Sequence, residues 1–166
     1  MKVTSAQANK LLKQLTEEKY MVRLEELNSI RFTAATVENI EEVRPEYDYE
    51  TVSEKIREYD RKIRAVKHAI NQFNVTSVVE EFGMTIDEML VYLPQLGERM
   101  DALSKMASKP AKVRKETRST NLIEYEYANY DVKKAAEDYK KLYELKAKAQ
   151  TALDTVNSTV MFEIEI

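Results

Sequence analysis

Histidine, cysteine and clustered carboxylates are the side chains that most often carry chemistry, and this chain has one histidine, His68, and no cysteine. No E-x-x-H or H-x-x-x-H spacing surrounds His68, as a metal site on a helix would require. A nucleophile paired with His68 would have to be serine or threonine, and the chain has no G-x-S-x-G segment. His68 also lies opposite the apolar positions of its predicted helix, so we expect it to face solvent. The sequence therefore predicts no catalytic residue.

Carboxylates are plentiful, with 29 Asp and Glu residues, so a metal site inside a helical bundle is an alternative. Di-iron bundles need Glu side chains and E-x-x-H motifs that project inward from facing helices. Here the inward positions are apolar, and a single histidine does not supply two such motifs. We therefore expect no metal and no cofactor. An enzyme ranks last among the function classes, but a site built from carboxylates alone would leave no recognisable spacing.

The elements that would position any site are helices with a regular apolar spacing. From Tyr49 to Asn74, apolar residues recur at alternating steps of four and three: Val52, Ile56, Tyr59, Ile63, Val66, Ile70 and Phe73. This spacing is typical of helices that pack side by side with knobs in holes. It recurs from Ile86 to Ala107, where Pro94 predicts a kink or a restart of the helix. A fourth helix with similar spacing should begin near Asn129 or Asp131.

Composition agrees with a helical protein. The chain has 166 residues, of which 43% are hydrophobic and 33% charged, with 2 Gly and 3 Pro. Few helix breakers and many charges favour long helices. We predict a mainly α fold in which residues 1–166 form a single helical domain of long antiparallel helices in a coiled-coil-like bundle. Alternating apolar residues near 121–128 and 159–166 predict two strands of a small β element, paired with each other or with an extended arm near Phe32.

The first predicted helix, from about Ser5 to Ile30, carries apolar residues on two faces. Ala8, Leu11, Leu12, Leu15 and Val22 share one face, and Tyr20, Leu24 and Leu27 lie on another. Two apolar faces on one helix need two surfaces to cover them. Either the helix is central in its own fold, or the second face meets another subunit. The leading hypothesis is a non-enzymatic structural or interaction protein that forms a helical homo-oligomer through Tyr20, Leu24 and Leu27.

Two predicted loops carry opposite charge, an acidic one at 37–50 and a basic one at 105–118. The basic loop precedes Tyr125 and Tyr127, and basic residues beside aromatic ones bind single-stranded nucleic acid in some proteins. The residues that would contact a polyanion are Lys112, Arg114, Lys115 and Arg118. The structural alternative is a strand whose tyrosines cover helices. Because the net charge is −3, nucleic acid is not the expected partner and ranks second.

Nothing in the sequence predicts a membrane segment or a secretion signal. The N-terminal residues lack the apolar core of a signal peptide, and the longest apolar run, near "MLVYL", is too short to span a bilayer. We expect a cytoplasmic protein with no membrane partner. Export by a route that leaves no N-terminal mark is the alternative.

Three segments resemble the septicolysin-like family of uncharacterised bacterial proteins: "KIREYDRKIRAVKHAINQFNVT", "TIDEMLVYLPQLGERMDAL" and "STNLIEYEYANYDV". The resemblance runs from about Thr51 to Asn157. It implies a largely helical, oligomer-prone protein and brings no catalytic residues. The family name also suggests membrane lysis, a third hypothesis that is disfavoured because no segment is both long and strongly amphipathic with a cationic face. Pro94, the acidic loop and the strand-like tail depart from the family pattern.

Overall fold

The computed structural model describes residues 1–115 and 122–166. Within them the chain is mainly helical, as predicted, with short strands between the helices. The elements are β1 (Lys2–Thr4), α1 (Ser5–Ser29), α2 (Ile40–Val43), α3 (Tyr49–Thr76), β2 (Val78–Val79), β3 (Met84–Thr85), α4 (Ile86–Ala107), β4 (Lys112–Lys115), β5 (Glu124–Tyr127), α5 (Val132–Thr159) and β6 (Met161–Glu163).

Side-chain caps fix where the long helices begin. Thr4 accepts a hydrogen bond from the Gln7 backbone N–H, and the Gln7 side chain accepts one from the Thr4 N–H, which forms a capping box. Thr85 and Glu88 form a second capping box at the start of α4, as the sequence predicts. Asp131 accepts hydrogen bonds from two backbone N–H groups in the first turn of α5. These bonds satisfy donors that the helix itself leaves without partners.

The predicted restart at Pro94 does not occur, because α4 is continuous from Ile86 to Ala107. Pro94 has no N–H to donate to the Leu90 carbonyl. Both residues are exposed, so water can reach that carbonyl in place of the missing donor.

The strands form three two-stranded antiparallel sheets, β1–β6, β2–β3 and β4–β5. The strands predicted near 121–128 and 159–166 correspond to β5 and β6, but they do not form one β element as predicted. β5 pairs with β4, and β6 pairs with β1. Both partners lie where no strand was expected. Residue 121, at the start of the first predicted strand, lies outside the described residues.

The two predicted loops also contain regular structure. The acidic segment holds α2, whose first turn is capped by the Asn39 side chain, and it includes the first residues of α3. The basic segment begins inside α4 and contains β4.

The described chain divides into two compact units, residues 1–74 with 157–166 and residues 75–156. In the first unit, α1 and α3 run antiparallel. The ammonium group of Lys19 bonds Asp60 near the middle of the pair, and the Tyr47 hydroxyl donates to Glu26 at 3.2 Å near one end. The buried residues of this core are Val3, Ala8, Leu15, Val66, Ile70 and Ile164.

The two chain termini close one end of this first core. The Met1 ammonium group donates to the Ile164 carbonyl at 2.6 Å, and the rings of Phe73 and Phe162 stack with centroids 4.4 Å apart. The C-terminal segment, through Phe162 of β6 and Ile164 just after it, is therefore part of the core of the first unit.

The second unit contains α4 and the residues of α5 up to Val156, which are also antiparallel. The Tyr130 hydroxyl donates to the Met106 carbonyl at 3.0 Å, and the Lys148 ammonium lies 2.9 Å from the Glu81 carboxylate. Between the two helices in sequence lies the β4–β5 hairpin, whose strand residues are all exposed.

Candidate interaction surfaces

The outer face of α1, formed by Tyr20, Leu24 and Leu27, is the surface on which the sequence places an interface. The three side chains are 64%, 39% and 62% exposed, and their spacing of four and three residues puts them on one side of the helix. Ala8 and Leu15, on the other side of α1, are buried in the core of the first unit. The helix is thus packed on one face and uncovered on the other.

Exposed apolar residues continue around and beyond this face. Met21 is exposed on α1 and Ile30 at its C-cap, and the exposed residues Phe32, Val37 and Ile40 follow in the next segment. These five were not part of the predicted interface, although Met21 lies three residues before Leu24 and Ile30 three residues after Leu27. The i, i+3 spacing identifies Met21 and Ile30, whereas Phe32, Val37 and Ile40 lie beyond α1 and carry no such signal.

A groove of about 540 Å³ lies between α1 and α3 in the first unit. Leu15, Val22 and Tyr59 contribute its apolar lining, and Glu58 is one of the charged residues at its edge. The Arg61 guanidinium donates to Glu58 at 2.9 and 2.8 Å and holds the pKa of that carboxyl at about 2, below its usual 4.5. Glu58 is therefore a paired carboxylate at neutral pH rather than a proton donor.

The β4–β5 hairpin brings the predicted polyanion contacts beside the tyrosines. Lys112 is opposite Tyr127 and Arg114 is opposite Tyr125, so these four residues share one face of the hairpin. Lys115 lies opposite Glu124 and therefore on the other face.

The Lys112 ammonium lies 4.1 Å from the centre of the Tyr125 ring and 5.3 Å from that of Tyr127. This cation–π contact places a charged group over one face of the tyrosine rings, where a base would otherwise stack. Arg118, the fourth predicted contact, lies outside the described residues.

No chemical site emerges from the part of the chain that the structure describes. His68 is exposed on α3, as the sequence predicts. In residues 1–115 and 122–166, no three His, Cys, Asp or Glu side chains come together as a metal ion would need. None of the described helices is both long enough and apolar enough to span a membrane.

Comparisons with known proteins add a fold and no function. No protein-family model matches the chain, and no curated protein matches it. A solved structure from Corynebacterium diphtheriae, described as a functionally unknown conserved protein, is similar with a TM-score of 0.60 and 15% sequence identity. The match covers 98% of this chain and 100% of that one. The two chains therefore share a mainly helical fold.

Proposed function

We propose that this protein is a structural or interaction protein that forms a homo-oligomer through the outer face of α1. The observation that carries the proposal is the exposure of Tyr20, Leu24 and Leu27 on a helix whose opposite face is already buried. Soluble monomers rarely leave contiguous apolar patches uncovered, and such patches are typical of interfaces.

A second copy of the chain is the partner that suits this face best. The steps of four and three between its residues are those with which like helices interdigitate. Symmetric self-association is also the commonest route to a soluble oligomer. Membership of the septicolysin-like family, which we also propose from the segments between Thr51 and Asn157, implies an oligomer-prone protein. On this proposal the function lies in the surfaces of the assembly and not in a reaction centre.

The test is the mass of the native particle, measured by sedimentation of wild type and of the Leu24→Glu/Leu27→Glu variant. We expect wild type to sediment as a multiple of the 19.3 kDa subunit and the variant as smaller particles with unchanged helix content. The variant should still fold because both side chains are exposed in the single chain. Lys10→Glu is the matched control, since it lies on α1, is exposed and makes the same change in net charge. A wild-type protein that sediments as a monomer at high concentration would refute the proposal.

A further inference from the structure

Two segments of the chain carry equal and opposite charge. The acidic segment, residues 37–50, holds six acidic residues and one basic residue, for a net charge of −5. The basic segment, residues 105–118, holds six basic residues and one acidic residue, for a net charge of +5. Such strong local charge on a chain whose net charge is only −3 marks both segments as surfaces for a charged partner.

Most of the described residues in both segments are exposed. In the acidic segment, Val37 is 93% exposed and Ile40 is 53% exposed. Its ion pair, between Arg44 and Glu41 at 2.9 Å, joins residues within the segment. In the basic segment, all residues of β4 are exposed, including Val113. Both segments therefore present charged surface that a second copy can reach.

We propose that the acidic segment of one copy binds the basic segment of a second copy. This contact goes beyond the function proposed above, because it uses surfaces other than the outer face of α1. Opposite charges bring the segments together, and each also offers an exposed apolar residue to the contact, Ile40 on α2 and Val113 on β4. A two-stranded hairpin is marginally stable by itself, so docking would also stabilise β4–β5.

A nucleic acid fits the basic segment less well than a second copy does. Lys112 already covers the rings of Tyr125 and Tyr127, and the opposite face of the hairpin carries Glu124 and Glu126. The acidic segment of the same chain would also repel a polyanion. The acidic and basic segments differ from each other, so this contact is heterologous unless two copies exchange both contacts. Two copies that exchange both contacts form a closed pair, and copies that each bind the next one can close as a ring.

The experiment uses two charge-reversed variants. Glu42→Lys/Glu46→Lys changes the net charge of the acidic segment from −5 to −1, and Lys109→Glu/Arg114→Glu changes that of the basic segment from +5 to +1. In each variant one segment keeps its full charge and the other keeps a net charge of only one unit, so each variant should associate with itself at least about tenfold more weakly than wild type does. Mixed together, the two variants bring the unaltered acidic segment of one (−5) to the unaltered basic segment of the other (+5) and should bind each other, and high salt should weaken that binding.

The matched control for the basic variant is Lys133→Glu/Lys140→Glu, on exposed positions of α5, which makes the same change in net charge. It should associate as wild type does. A second measurement uses the absence of cysteine from the chain. Ile40→Cys on one tagged chain and Val113→Cys on another should form a disulfide-linked heterodimer under oxidation, which tests the contact even where a charge reversal disturbs the hairpin.

The proposal is overturned if the mixed variants bind no better than each binds itself, or if the two cysteine variants do not cross-link. Tight binding of single-stranded oligonucleotide at physiological salt, lost in Lys109→Glu/Arg114→Glu, would instead assign the basic segment to nucleic acid. The outcome is independent of the α1 test. If Leu24→Glu/Leu27→Glu leaves the native mass unchanged while the mixed variants pair, the function proposed above fails and this contact stands.

Discussion

Ile164 lies two residues from the C-terminus, yet it should be among the most important side chains for the stability of the first unit. It is 1% exposed and belongs to the core that contains Ala8 and Val66. Ile164→Ala removes three carbon atoms from this site. At about 0.8 kcal/mol per buried methylene group, with a further cost for the cavity, the expected loss in the free energy of unfolding is about 3 kcal/mol.

Ile166→Ala makes the same chemical change two residues further on, where the side chain is 43% exposed. Its expected effect is below about 0.5 kcal/mol. The assay is urea unfolding followed by circular dichroism, at one protein concentration because association shifts apparent stability. Equal stabilities for the two variants, or a loss below about 1 kcal/mol for Ile164→Ala, would show that Ile164 is not part of the core.

The two glycines predict opposite results in thermal melts. Gly83 has φ of +61°, so Gly83→Ala should lower the free energy of unfolding by about 1 kcal/mol, whereas Gly97→Ala should raise it by up to about 1 kcal/mol through helix propensity. A β-carbon at position 97 would lie 3.0 Å from the flexible Lys146 amine, which can move, so a loss of stability there would contradict this account. The pH dependence of stability should change in Glu58→Gln, because the folded-state pKa of Glu58 is about 2 against an ordinary 4.5. That stabilisation is present above pH 4.5 and is lost as the pH falls toward 2, so urea titrations should show a shallower acid loss in the variant than in wild type.

The helices could be predicted from sequence because their signals are local. The spacing of apolar residues located α3 and α4, and the capping residues Thr85 and Asp131 located two helix starts within a residue or two. The same spacing put Tyr20, Leu24 and Leu27 on a face that the core of the first unit does not use. Strand pairing depends instead on distant segments. Lys2 pairs with Glu163, and no local pattern in three-residue strands specifies such a partner.

The basic hairpin shows the same limit at a candidate site. The segment "KVRK" offers one apolar residue among three charges, so its composition favours a loop. Its pairing with "EYEY" turns the four residues into β4 and sets Lys112 opposite Tyr127, with the Lys112 ammonium 4.1 Å from the centre of the Tyr125 ring. The charged and aromatic residues can be identified from sequence. Only the strand pairing shows that the Lys112 ammonium lies over the tyrosine rings on which a base was expected to stack.

Burial along α3 changes from one end to the other. Val66, Ile70 and Phe73 are buried near its C-terminal end, where β1 and β6 close the core, whereas Val52 and Ile56 are only half-buried near its N-terminal end. Because α1 runs antiparallel to α3, the less buried half of α3 lies beside the half of α1 that carries the exposed outer face. The half of the α1–α3 pair with fewer buried residues therefore also carries the exposed apolar residues of the outer face. Association there would stabilise this half of the pair by mass action, so its local stability and the proposed self-association should depend on each other.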